Sequence, residues 1–142
     1  MNNISDKLHK KYDMEIRELL TEYEYRYYRY KLEYSLVFFY LPNKDDISNY
    51  AKLIRLTDTF IKLEENFYCI VYEGANREQA AKAANNLLGR YKKEYSDSMV
   101  YIGIMSPGKK KIYREDVVTR LFKLLEEIIL EKQYNIVIAQ KD

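Results

Sequence analysis

The stretch "RLTDTFIKLEENFYCIVYEG", Arg55 to Gly74, decides the fold. Two runs rich in aromatic and β-branched side chains, Thr59 to Leu63 and Phe67 to Tyr72, flank Glu64-Glu65-Asn66. That is the pattern of two strands joined by a hairpin turn. The turn carries two carboxylates and an Asn where glycine is the usual residue. An Arg-x-x-Asp, Arg55 to Asp58, stands just upstream.

Working outward, "YSLVFFYL" (Tyr34 to Leu41) is a continuous apolar run ended by Pro42-Asn43. Such a run predicts a strand buried on both faces and therefore central in its sheet. Before it, Ile16, Leu19, Leu20, Tyr23, Tyr27, Tyr30 and Tyr34 recur at three and four residues, predicting one long helix over 5–34. Between strand and hairpin, Asp45 or Asp46 can cap a helix that places Ile47, Tyr50, Ala51 and Ile54 on one face.

After the hairpin, Asn76 and Gln79 have the spacing of a capping box. Ala80, Ala83, Ala84, Leu87, Leu88 and Tyr91 then form a helical stripe whose alanines predict close packing on a sheet. Met99 to Met105 reads as a further strand. Val117, Val118, Leu121, Leu124, Leu125, Ile128 and Ile129 mark a last helix, and Tyr134 to Gln140 a closing strand. The order α-β-α-β-β-α-β-α-β predicts an α+β or α/β domain. Its centre is a ferredoxin-like βαββαβ core in a mixed sheet of about five strands with helices packed on it. The expected division is an N-terminal helix over 1–33 and one globular unit over 34–142.

With 142 residues and a net charge of +2, a single domain is expected, with no overall field drawing it to nucleic acid or acidic membrane. A single cysteine, Cys69, fits a reducing compartment and excludes an internal disulfide. No window approaches eighteen uninterrupted apolar residues, and the first residues carry no apolar core of a signal peptide. The chain reads as cytoplasmic, or as a cytoplasmic piece of something longer.

Three stretches in this order resemble the GGDEF domain of diguanylate cyclases, from about Glu18 onward. "ELLTEYEYRYYRYKLEYSLVFFYL" is similar to the family's entry helix and first strand, with Arg29-Tyr30 and Ser35-Leu36 at its Arg-Tyr and Ser-Leu. "RLTDTFIKLEENFY" keeps the family's Arg-x-x-Asp, five intervening residues and then the five-residue signature turn. "EDVVTRLFKLLEEIILEKQYNIVIA" is similar to the last helix and strand.

The resemblance places Glu64 and Glu65 at the two glycines of the signature, Asn66 and Phe67 at its acidic positions, and Tyr68 at its Phe. Glutamates there bring bulk and negative charge against a phosphate and lack glycine's freedom at φ > 0. The family's magnesium-holding Asp-x-Asp falls on Tyr40 and Pro42, neither of which is a carboxylate oxygen donor. There is also room for one helix, not two, between Pro42 and Arg55. Metal-assisted phosphoryl transfer depends on positioned metal and phosphates. The expectation is therefore a catalytically inactive domain with no catalytic residues, metal or cofactor.

What the resemblance retains is Arg55 and Asp58, at the family's inhibitory or receptor site for cyclic di-GMP. An Arg fork can take a phosphate or a guanine edge, and an Asp can accept from guanine N–H groups. The family's second arginine falls near Asn86, flanked by Lys82 and Arg90 as substitutes. In the other reading, Arg55 and Asp58 form a solvated ion pair at a helix end. His9, alone in a charged helix, reads as a surface residue. Cys69, on one face of its strand with Phe67 and Val71, reads as a buried inert thiol.

The chain holds 16 tyrosines, and those in "TEYEYRYYRYKLEY" alternate with cations as base-stacking surfaces do. Glu22, Glu24 and Glu33 offset those cations, so nucleic acid is not the expected partner. A helix that docks one tyrosine face on its own sheet and offers the other to a protein partner or a second copy fits better. Three functions follow: an inactive regulatory or interaction domain in signalling, a cyclic di-GMP receptor, and a residual nucleotide-processing enzyme.

Overall fold

The computed structural model describes residues 3–43, 46–107 and 116–139. The sheet is built around strand β1 (Tyr34–Tyr40), every residue of which is buried. Together with β2 (Thr59–Glu64), β3 (Phe67–Glu73), β4 (Tyr101–Met105) and β5 (Val137–Ala139) it forms one sheet in the order β2-β3-β1-β4-β5. β1 is antiparallel to both its neighbours, β3 and β4, while β5 lies parallel to β4. The mixed sheet and its split βαββαβ centre are those the sequence predicts.

Alternation along β1 divides the core between two layers. Leu36, Phe38 and Tyr40 face one side, with Phe67, Cys69 and Val71 of β3, and are covered by helices α1 (Ile4–Tyr30) and α3 (Val117–Leu130). Val37, Phe39 and Leu41 face the other side, with Tyr68, Ile70 and Tyr72, beneath α2 (Arg77–Glu94). Gly103 on β4 permits the approach of α3: a Cβ there would lie 3.3 Å from the Leu121 side chain. Cys69 is fully buried, and burial pushes its thiol well above the ordinary range.

The helix starts follow the sequence. Asn76 and Gln79 form the capping box at α2, and the Asp116 side chain accepts from the Thr119 N–H at α3. Several boundaries differ. α1 ends at Tyr30, because Lys31 turns into the left-handed region at φ 59 and reverses the chain toward β1. Tyr30 is consequently exposed, and Tyr34 belongs to the strand. The helix expected after Pro42 is a six-residue 3-10 turn, Ser48–Leu53. Ile47 and Tyr50, three apart, are both buried, which suits a three-residue period. Asp46 accepts from the Ser48 N–H at 2.7 Å; Asp45 lies outside the described residues.

β4 begins at Tyr101 instead of Met99, and β5 is shorter than Tyr134 to Gln140. Asn135 takes positive φ (60°), and its side chain and N–H both bond Val100, so the chain reaches the sheet edge only at Val137. Gln140 lies outside the described residues.

Polar contacts fasten α1 to α3 along the rim of their shared layer. Ser5 Oγ donates to the Phe122 carbonyl at 2.6 Å. His9 stacks on Phe122 with ring centroids 4.4 Å apart and lies 2.9 Å from Asp13. This histidine is thus a partly buried surface residue, because the helix face that carries it meets α3. Arg17 donates to Asp13 at 2.9 Å and to Thr119 at 3.1 Å, and also reaches Asp116.

Arg17 holds the Asp13 carboxyl below its ordinary value against some opposition from burial. Burial pushes Asp116 up, but Arg17 and the Thr119 N–H outweigh it and leave this carboxyl lowered too. A carboxyl depressed in the folded state contributes stability that is present above its unfolded value and lost as pH falls through the folded one. Urea denaturation is therefore expected to give a stability that declines below about pH 4. Arg17→Met should flatten that decline, seen as a smaller midpoint difference between pH 7 and pH 3. Separately, Phe38→Ala, which empties the centre of the α1–α3 layer, should cost about 3–5 kcal/mol in the same assay.

Candidate functional site

Two places gather the residues singled out in the sequence. The first is the hairpin end of the sheet. Tyr40 pairs with Phe67, and the Leu41 N–H donates to the Asn66 carbonyl at 2.9 Å, so the end of β1 and the turn lie side by side. The turn itself is two residues long, Glu65-Asn66, because Glu64 belongs to β2 and pairs with Phe67 across a register shift. That corrects the three-residue turn expected from Glu64 to Asn66; the irregularity between Lys62 and Glu64 takes up the extra residue.

Glu64, Glu65, Phe67 and Tyr68 at this end each have a structural partner. Glu64 accepts from Lys11 Nζ at 3.3 Å and from the Tyr12 hydroxyl at 3.2 Å, which ties it to α1. Glu65 lies 3.8 Å from Lys62 Nζ. Phe67 is fully buried in an aromatic cluster with Phe38, Phe122 and Tyr12. Tyr68, equally buried, donates to Asp46 at 2.9 Å, and burial, then Asp46, pushes its hydroxyl up to about 12.

Asp46 is held below the ordinary carboxylate range chiefly by Ser48, with Tyr68 and Lys62 assisting. Lys62 Nζ is 3.3 Å from it. Tyr40 offers a phenol whose ionisation burial opposes, and Pro42 offers no side-chain donor. A magnesium ion asks for several oxygen ligands, commonly carboxylates. Glu64 and Asp46 are engaged with Lys11, Tyr12, Ser48, Tyr68 and Lys62. Among the described residues, no three His, Cys, Asp or Glu side chains gather as a ligand set. The donor set at this end does not fit the ion.

The second place is a groove of about 700 Å³ between the Arg-x-x-Asp turn and α2. Arg55 to Asp58 is a β-turn, closed by the Asp58 N–H donating to the Arg55 carbonyl at 3.0 Å, not the end of a helix. Asp58 Oδ2 accepts from the Arg55 backbone N–H at 3.0 Å and from Nε at 3.1 Å. Its Oδ1 accepts from Arg55 Nη2 and from the Glu73 N–H, both at 2.9 Å. Four donors fill the acceptor sites of one carboxylate.

Arg55 Nη2 also donates to the Glu73 carbonyl, and Asp58, foremost among the causes, raises the guanidinium's affinity for its proton. The Asp58 side chain is 1% exposed and that of Arg55 60%. The pair is therefore anchored at its acidic end and open at its basic end, not solvated throughout. Asp58 pins the Arg-x-x-Asp turn to the end of β3, just before Gly74 turns the chain at φ 69.

α2 supplies the opposite wall. Asn86 and Arg90 line the groove with Arg55 and Asp58, and Lys82 does not. Lys93, which the sequence reading missed, lines it as well. Asn86, Arg90 and Lys93 follow one another at i, i+4 and i+7, so helical periodicity carried the signal. The partnership of Glu64 with Lys11 and Tyr12 had no local signal, since more than fifty residues separate them.

Removing the buried carboxylate leaves the Glu73 N–H and the Arg55 fork without their acceptor. Asp58→Ala is expected to lower stability by about 3 kcal/mol in urea titration, and Arg55→Ala by distinctly less, because its side chain is largely in water.

No protein-family model and no curated protein sequence matches the chain. Solved structures do. The FimX GGDEF domain from Pseudomonas aeruginosa superposes with a TM-score of 0.65 at 15% identity, over 89% of this chain and 92% of that one. The active GGEEF domain of a diguanylate cyclase from Vibrio cholerae gives 0.61 at 12% identity, over 89% and 96%. The GGDEF domain of DgcB from Caulobacter crescentus, solved in complex with c-di-GMP, gives 0.60 at 5% identity, over 87% of each. At these identities the likeness speaks for the backbone alone, and it extends over most of both chains: this protein has the fold of a GGDEF domain.

Proposed function

We propose that this chain is a GGDEF-like domain that does not make cyclic di-GMP and serves as a regulatory or interaction module in signalling. The observation that carries this reading is the hairpin end of the sheet. At the positions matching the signature turn, Phe67 and Tyr68 are core residues, and Glu64 is bound to Lys11 and Tyr12 of α1. A turn that must approach a triphosphate needs small residues, and phosphoryl transfer needs a metal held by carboxylates. Glu64 and Glu65 instead set negative charge where phosphates would lie, and Tyr40 and Pro42 replace metal-holding carboxylates. These substitutions act together against nucleotide and metal, which supports inactivity more than any one of them alone. A protein partner or a second copy is the counterpart such a module requires. The exposed rings of Tyr25 and Tyr28 on α1 suit a contact of that kind.

A second reading has one observation in its favour. Arg55, Asp58, Asn86 and Arg90 line a single groove, at the place where the resemblance locates a cyclic di-GMP site. Under this reading the domain is a receptor whose binding rests on Arg55 and Arg90, with Asp58 orienting Arg55.

Incubation with GTP and Mg²⁺ is expected to release no pyrophosphate above the buffer rate. Turnover that disappears when Glu64 and Glu65 are changed to Gln would overturn the inactive reading, and with it revive a nucleotide-processing enzyme. Calorimetry with cyclic di-GMP distinguishes module from receptor. Heats that saturate for the wild type and vanish for Arg55→Ala select the receptor, and heats absent from both remove it.

A further inference from the structure

We infer that the groove between the Arg55 turn and α2 receives an acidic, aliphatic peptide segment of a partner protein; this rests on the interaction-module reading. The groove's charges point to an anion. Arg55, Arg90 and Lys93 line it against one carboxylate, Asp58, which is buried and already bound to Arg55. Arg90 and Lys93 are exposed on α2, and among the described residues neither forms an ion pair. Two cations that no described carboxylate pairs, lining the same groove as Arg55, attract negative groups and are relieved by them.

The hydrogen-bonding chemistry of the walls favours carboxylates over nucleobases. A guanine edge presents N–H donors as well as acceptors, so a pocket that reads it must supply free acceptors. Asp58 has none left, since four N–H groups fill its two oxygens. The Gln79 carbonyl is likewise engaged, accepting from the Asn76 N–H at 2.9 Å in the capping box. Asn85 and Asn86 also line the groove and carry an acceptor as well as donors, but the charged groups that remain are donors alone: the outward face of the Arg55 guanidinium, Arg90 and Lys93.

The apolar part of the lining also lacks a stacking surface. A nucleobase gains much of its affinity by lying on an exposed ring. Among the described residues, Tyr72 is the sole aromatic lining this groove, and it is 3% exposed. The accessible apolar side chains are aliphatic instead. Leu53 and Ile54 line the groove, and Leu56, within the Arg55 turn, is fully exposed. A segment that intersperses Asp and Glu with Leu or Ile would place carboxylates on Arg55, Arg90 and Lys93 and aliphatic side chains on Leu53 and Ile54.

Fluorescence anisotropy of a fluorescein-labelled peptide of repeated Asp-Glu-Leu, titrated with the full chain, tests the proposal. The matching Asn-Gln-Leu peptide and cyclic di-GMP as competitor provide the comparisons. The acidic peptide should bind, more weakly as salt rises, and the amide peptide should not. Arg90→Glu with Lys93→Glu should weaken binding about tenfold, from two reversed charges at exposed positions, while Lys10→Glu on α1 leaves it unchanged. Circular dichroism confirms that the variants fold, since both substituted side chains lie on the solvent face of α2.

The proposal is overturned if the acidic peptide does not bind, if the amide peptide binds equally, or if the charge reversals have no more effect than Lys10→Glu. Tight binding of cyclic di-GMP that displaces the peptide and is lost in the same double variant assigns the groove to the nucleotide, and overturns it as well. GTP turnover on the same preparations is indifferent to Arg90 and Lys93. The groove assignment and the inactive reading therefore fail by different measurements.

Discussion

A strand with no exposed residue imposes an obligation on both sides. β1 buries Leu36, Phe38 and Tyr40 on one face and Ser35, Val37 and Phe39 on the other, and each face needs its own cover. One layer of helix cannot meet that need, so the chain places α1 and α3 together beneath the sheet and α2 with the 3-10 turn above it. Hydrophobic burial on this scale, at about 25 cal/mol per Å², dominates the favourable side of folding. The remaining interactions choose among arrangements that satisfy it. Ser35, fully buried at the start of β1, shows how that choice is made. Its hydroxyl lies 2.9 Å from the Ala75 carbonyl and 2.6 Å from Ser106 Oγ, which fixes the entry to α2 and the exit from β4 relative to the central strand.

The two ends of the sheet have taken different chemical courses. At the hairpin end, Glu64, Glu65 and Asp46 are paired with neighbouring side chains, and the rings of Phe67 and Tyr68 are buried. At the opposite end of β3, Asp58 is consumed by the fold, yet it leaves a cation facing outward and positions it. A buried carboxylate with four hydrogen bonds serves here as a mount for an exposed guanidinium. The same pair of residues thus has a structural half and an accessible half.

Much of the architecture was legible in the sequence because it rests on periodicity. The apolar run of β1, the alternation in the hairpin, the capping box at α2 and the stripe of α3 are local patterns, and the structure keeps them all. Boundaries were lost where one residue's backbone conformation decides the matter. Lys31 and Asn135 both take positive φ, and neither is a glycine that would announce it. The 3-10 turn was read as a longer helix because i, i+3 spacing is common to both. In the site, the Arg-x-x-Asp was visible as a motif, but its burial was not, since the Glu73 N–H that binds Asp58 lies fifteen residues away. Lys93 was visible in principle through the helical stripe it shares with Asn86 and Arg90. The role of Lys11 and Tyr12 was not, because it depends on how far α1 extends past the end of β1.

That extension has a geometrical consequence. α1 grips the hairpin at two points, Lys11 and Tyr12 on Glu64 near one end of β3 and Arg26 on Glu73 at the other, the latter at 2.8 Å. Fifteen residues of helix rise about 22 Å. The six steps from Phe67 to Glu73 in an antiparallel strand span about 20 Å. Helix and strand are commensurate between their two fastenings, like a rule laid along the object it measures. One residue inserted into α1 between Tyr12 and Arg26 would shift one grip by about 1.5 Å and swing it by about 100°, so that only one of the two could hold. The spacing along α1 is therefore as much a part of the Arg55 groove as the groove's own residues, since Glu73, which helps hold Asp58 in place, is one of the two points gripped.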